Sequence, residues 1–61
     1  MHGTGSVAAD RVLRELGRRR TATLSDLVAA TGLGMGDVQS ALGLLDIEGA
    51  AVERGCGWVR A

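Results

Sequence analysis

The stretch Ala41-Leu42-Gly43-Leu44-Leu45-Asp46-Ile47-Glu48-Gly49-Ala50-Ala51-Val52-Glu53-Arg54-Gly55-Cys56-Gly57-Trp58-Val59-Arg60 decides the fold. It reads as the end of an apolar-periodic helix, a glycine stop at Gly49, a short strand at Val52, a turn, and a second short strand at Trp58-Val59. Glycines on either side of Cys56 are expected to supply the positive φ angles that a tight hairpin needs. A helix that runs directly into a small hairpin is the ending of a winged helix, so the question becomes whether the preceding residues supply the other parts.

They do, in order. Ser6 is a candidate N-cap, with Asp10 near the positive end of the helix that follows. Ala9, Val12, Leu13 and Leu16 recur at helical spacing and form one apolar stripe. Gly17 and Arg18-Arg19-Arg20 are expected to close this helix, since glycine suits a helix end and cations suit its negative pole. Asp10 to Arg14 and Arg11 to Glu15 have the i,i+4 spacing of surface ion pairs. Thr21-Ala22-Thr23-Leu24 reads as a very short strand, able to join the hairpin as a third. Ser25 is expected to cap a second helix of little more than two turns, ending at Gly32, with Leu27, Val28 and Leu24 toward the core. Gly32-Leu33-Gly34 is a tight turn. Met35 opens a third helix that runs to about Glu48, with Asp37 near its N-terminus. The fold class is therefore α+β, a winged helix-turn-helix of three helices and a small antiparallel wing. Val12, Leu13, Leu16, Leu27, Val38, Leu42, Leu45 and Trp58 are the expected core, flanked by Ala41 and Met35.

Sixty-one residues make one small domain with a limited core. The apolar fraction of 46% is ample for a folded chain. No apolar run approaches the ~18 residues of a membrane span. No basic start precedes an uninterrupted apolar stretch, so no secretory signal is expected. One cysteine rules out an internal disulfide, and a single histidine rules out the usual zinc sets. These features point to a cytoplasmic domain held by packing, with no cofactor, no metal and no small-molecule substrate. The formal net charge of zero argues against strong non-specific nucleic-acid affinity, which requires an excess of cations to neutralise phosphates. Met1-His2-Gly3-Thr4-Gly5 carries no pattern. It reads as a flexible lead, a linker or an expression scar, before a domain spanning residues 6–61, and suggests a domain cut from a longer protein.

The run Thr23-Leu24-Ser25-Asp26-Leu27-Val28-Ala29-Ala30-Thr31-Gly32-Leu33, followed by Val38, Ala41-Leu42, Leu45-Asp46-Ile47-Glu48-Gly49-Ala50 and Arg54-Gly55-Cys56-Gly57-Trp58, resembles the C-terminal winged-helix domain of the DNA-processing protein A (DprA/Smf) family. The resemblance spans roughly residues 7–60. It implies an accessory module of a protein whose Rossmann-like main domain binds single-stranded DNA and delivers it to the RecA recombinase in natural transformation. That main domain is absent from this chain, so none of its functional residues carry over. For the appended module the resemblance implies DNA or protein contact in general.

The third helix carries the functional question. At about 100° per residue, Val38, Leu42 and Leu45 share one side, and Gly36, Ser40, Gly43, Leu44 and Ile47 share the opposite one. A helix that reads the major groove presents Arg, Lys, Asn or Gln to phosphates and base edges. Here Gln39 is the one strong base-reading side chain, and the charges are Asp37, Asp46 and Glu48. Like charges facing phosphate oppose binding. A solvated polar face is the bland alternative, but this face is apolar and small. Contact with a protein partner or with a second copy, through Gly36, Ser40, Gly43, Leu44 and Ile47, is favoured over groove reading. The plainer account of the glycines is that they only weaken the helix.

Cations lie elsewhere. Arg11, Arg14 and Arg18 fall along one side of the first helix, with Arg19 and Arg20 after it, and Arg54 and Arg60 flank the hairpin. These are the candidates for weak nucleic-acid contact, with Gln39 as the base-reading candidate. A solvated face laced with ion pairs is the favoured reading of the first-helix cluster. Trp58 would stack on a base in a functional reading, but a lone Trp in a short hairpin is more often the large core residue. Cys56 has no His or Lys beside it to activate its thiol. No catalytic constellation exists, and Gly32-Leu33-Gly34-Met35-Gly36 lacks the lysine of a phosphate loop. The chain is therefore expected to be a binding module and not an enzyme. A DNA-binding transcription regulator and a pure dimerisation or protein-interaction domain stay open as alternatives.

Overall fold

A computed structural model describes residues 5–61, with side chains from residue 7 onward. Helix α1 spans Gly5–Arg18, α2 Leu24–Thr31 and α3 Met35–Ile47, followed by strands β1, Ala51–Arg54, and β2, Gly57–Arg60. Three helices with an antiparallel hairpin form the α+β layout of a winged helix-turn-helix. Helix α1 begins at Gly5, so Ser6 lies inside the first turn instead of capping it, and Gly17 is helical rather than terminal. Residues 1–4 of the proposed lead lie outside the described residues.

Local chemistry sets the boundaries of α2. The N-cap is Thr23, not Ser25. The Asp26 N–H donates to Thr23 Oγ1 at 3.1 Å, and the Thr23 N–H donates to Asp26 Oδ2 at 3.1 Å. This reciprocal capping box satisfies two backbone donors at once. A cap at Ser25 would have Val28 three residues on, with no acceptor to return the bond. The far end stops at Gly32, whose φ of 74° is left-handed and whose N–H reaches Val28 O at 3.0 Å. The Thr31 hydroxyl donates to Leu27 O at 2.6 Å and accepts the Leu33 N–H at 3.2 Å, which stitches the turn into α3.

Helix α3 ends in a Schellman motif. Gly49 N–H reaches Asp46 O at 3.0 Å and Ala50 N–H reaches Leu45 O at 2.8 Å, with Gly49 at φ 77°. The chain reverses there and enters the hairpin. The pairing is Ala51↔Arg60, Val52↔Val59, Glu53↔Trp58 and Arg54↔Gly57. Gly55 has φ 56° and Cys56 after it does not have positive φ, which is the sign pattern of a type II′ turn.

The expected third strand is reduced to a single bridge, Ala22↔Trp58. Ala22 and Trp58 exchange both backbone hydrogen bonds, at 3.0 and 2.7 Å. Pairing stops there because the chain enters α2 at Leu24.

The buried core is Ala9, Val12 and Leu16 from α1, Leu27 from α2, Val38, Ala41, Leu42 and Leu45 from α3, with Ala22 and Ala51. Leu13 and Trp58 pack against this core half-buried, instead of inside it. Met35, placed on the core flank by its spacing, is exposed.

Candidate interaction surface

Helix α3 buries Val38, Ala41, Leu42 and Leu45 against α1 and α2, and this choice of face sends Gly36, Ser40, Gly43 and Ile47 outward in one line. All four are exposed, and Leu44 lies beside them. Ile47 is 86% exposed, an unusual position for an isoleucine. Asp37, Asp46 and Glu48 are also exposed, so the surface of α3 carries negative charge and no cation. Among the described residues nothing lies within 4 Å of a Cβ added at Gly36 or Gly43, which leaves both positions open.

Gln39 sits on the flank of α3, in a groove of about 370 Å³ between the helices and the hairpin. Its walls are Leu24, Gln39, Leu42, Glu53, Cys56, Gly57 and Trp58. In the register, Glu53 and Trp58 stand opposite each other on the same hairpin face as buried Ala51, the face turned to the helices. The groove therefore has an apolar floor of Leu24, Leu42 and Trp58 and a polar rim. Its assembly depends on hairpin register, which no local pattern displays. Cys56 is an exposed free thiol at the turn.

The cationic residues split into two groups. Along α1, Arg11, Arg14 and Arg18 are exposed on the side away from the core, in line with Val7. Arg11 and Arg14, with Glu15, Ala30 and Thr31, also border a shallow hollow of about 220 Å³ beside the end of α2. The expected Asp10–Arg14 and Arg11–Glu15 pairs do not form; among the described residues Glu15 instead meets Arg18 at 3.5 Å and Arg19 at 3.7 Å. Arg18 and Arg19 stand three and four residues after Glu15, ordinary helical spacing for a surface pair. Such pairs at the surface are worth at most about 1 kcal/mol.

Arg54 and Arg60 lie at opposite ends of the hairpin. Arg54 is at the turn, opposite Gly57, whereas Arg60 is at the other end, opposite Ala51 and on the other face. Arg60 reaches across α1, where its Nη1 stands 2.9 Å from the place a Cβ at Gly17 would occupy. A guanidinium over the last turn of α1 lies at the negative end of that helix. Arg60 thus falls beside Arg18, Arg19 and Arg20 in space, and Arg54 stands apart.

Among the described residues no cluster of three His, Cys, Asp or Glu has metal-binding geometry, and no polar side chain is buried. His2 lies outside them. No described helix is long and apolar enough to cross a membrane. Compared with family models, with characterised proteins and with solved structures, the chain gives no match.

Proposed function

We propose that this chain is a non-catalytic winged-helix module that binds a protein partner, or itself, through the outward face of α3. DNA contact is weak at most and runs through Arg18, Arg19, Arg20 and the hairpin arginines Arg54 and Arg60. The observation that carries the reading is Ile47, left 86% exposed on a helix whose charged side chains are all acidic. Phosphate repels such a face and a protein surface gains by covering it. The DprA/Smf resemblance supplies the process, DNA uptake and recombination in the cytoplasm, in which such a module would serve. The alternatives are a transcription regulator, which would place α3 on DNA, and a pure interaction domain with no DNA role.

Ile47→Glu and Ser40→Arg place a charge at the centre of the face without touching the core. Sedimentation and NMR relaxation over a concentration series, with circular dichroism to check the fold, test the reading. Loss of association with an intact fold supports it. Unfolding by Ile47→Glu would mean that this face belongs to the core.

A further inference from the structure

We infer that the partner surface for α3 is the outer stripe of α1 on a second copy of this chain, in a head-to-tail contact. The inference rests on the proposed role of α3 and adds which surface covers it. Two outward stripes match in spacing, and the acids beside one complement the arginines of the other. On α1 the stripe is Val7, Arg11, Arg14 and Arg18; on α3 it is Gly36, Ser40, Gly43 and Ile47. Each follows the i, i+4, i+7, i+11 rule, so each runs about 16 Å along its helix.

Laid antiparallel, the two stripes bring unlike groups together. Val7, 64% exposed, meets Ile47. Arg11 falls opposite Gly43, where its long side chain reaches toward Asp46, and Arg18 falls next to Asp37. Arg14 lies over Ser40 and Gly43, whose lack of bulk admits its long stem. The antiparallel arrangement also sets the helix dipoles in opposition, N-terminus to C-terminus. A parallel arrangement would bring Val7 to Asp37 and leave Ile47 against Arg18. Arg18 must leave its 3.5 Å surface pair with Glu15, a weak contact to give up.

The contact is intermolecular by construction. Helices α1 and α3 pack their core sides on each other, so their outer stripes point away from one another. Each copy then offers one donor face and one acceptor face, and such a heterologous contact propagates beyond a dimer unless its rotation closes a ring. A net charge of zero leaves no overall repulsion to oppose it.

Mixing separates this from a symmetric α3–α3 pair. Arg11→Glu with Arg14→Glu removes the α1 face, and Ile47→Glu removes the α3 face. Analytical ultracentrifugation of the parent should show mass rising past the dimer with concentration and falling with added salt. Each variant alone should be monomeric, and an equimolar mixture should recover a heterodimer that grows no further. If Ile47→Glu is monomeric while the double arginine variant associates like the parent, the α1 surface is not the partner, although α3 still is. A parent that stays monomeric at millimolar concentration overturns the self-contact and leaves α3 to a different protein. Should a variant lose its helical circular dichroism, the salt response of the parent decides: association unchanged by salt contradicts the charge match.

Discussion

Trp58 N–H donates to Ala22 O at 2.7 Å, and the glycine just before Trp58 is what allows that approach. A Cβ at Gly57 would stand 2.5 Å from Thr21 Cγ2 and 3.0 Å from Ala22 O. Gly57 is therefore needed for close passage of backbone and not for its φ, which is why its role differs from that of Gly55 across the same turn. The segment between α1 and α2 is tied to the hairpin at this one point.

Gly57→Ala is expected to destabilise the domain by about 1–3 kcal/mol, because its new methyl would meet Thr21 Cγ2 and then the Ala22 backbone. Gly43→Ala has open space around it on α3 and should stabilise by roughly 0.5–1 kcal/mol through helix propensity. Denaturant titrations of the two variants under conditions that keep the chain monomeric compare them. Equal effects would mean that the Ala22 bridge does not form.

Leu42→Ala removes a buried side chain from the centre of α3's core face. The expected loss is about 2–5 kcal/mol, similar to the whole stability of so small a domain. Leu13→Ala, at a half-buried site, should cost less. A Leu42→Ala variant that melts within a degree or two of the parent contradicts the core.

The capping box gives a pH dependence. The Thr23 backbone N–H, and then its hydroxyl, hold the Asp26 carboxyl below its ordinary value of 3.8, with help from Arg19. A carboxylate depressed in the folded state adds stability that is fully present above the unfolded value and is lost as pH falls through the folded one. The stability gap between the parent and Asp26→Ala should thus be constant above about pH 5 and shrink below 3.8. Thr23→Ala should cost about 0.5–2 kcal/mol, and Ser25→Ala much less. Thermal melts between neutral and acid pH read both; a gap that widens on acidification contradicts the assignment.

Much of this architecture is written locally. The period of Val38, Ala41, Leu42 and Leu45 names the buried side of α3 and hence its exposed side, and Gly49 marks the reversal into the hairpin. The errors arise where two residues of one chemistry compete or where distant segments meet. Thr23 and Ser25 are both capping types, and Asp26 three residues after Thr23 is the feature that separates them. Met35 has core spacing, but at the first turn of α3 it is left 51% exposed. The place of Arg60 over Gly17, and the grouping of Gln39 with Glu53 and Trp58, follow from hairpin register and the packing of β2 on α1. Neither is visible in a window of a few residues.

The central claim is that α3 meets protein and does not read DNA. A salt-dependent titration with single- and double-stranded DNA, using the parent, Gln39→Ala and a variant with Arg18, Arg19 and Arg20 all changed to Ala, tests it most directly. The account predicts weak binding, indifferent to sequence, that the triple-arginine variant reduces equally for all DNAs with a flatter salt slope, and that Gln39→Ala leaves unchanged. Tight, sequence-selective binding abolished by Gln39→Ala would contradict it.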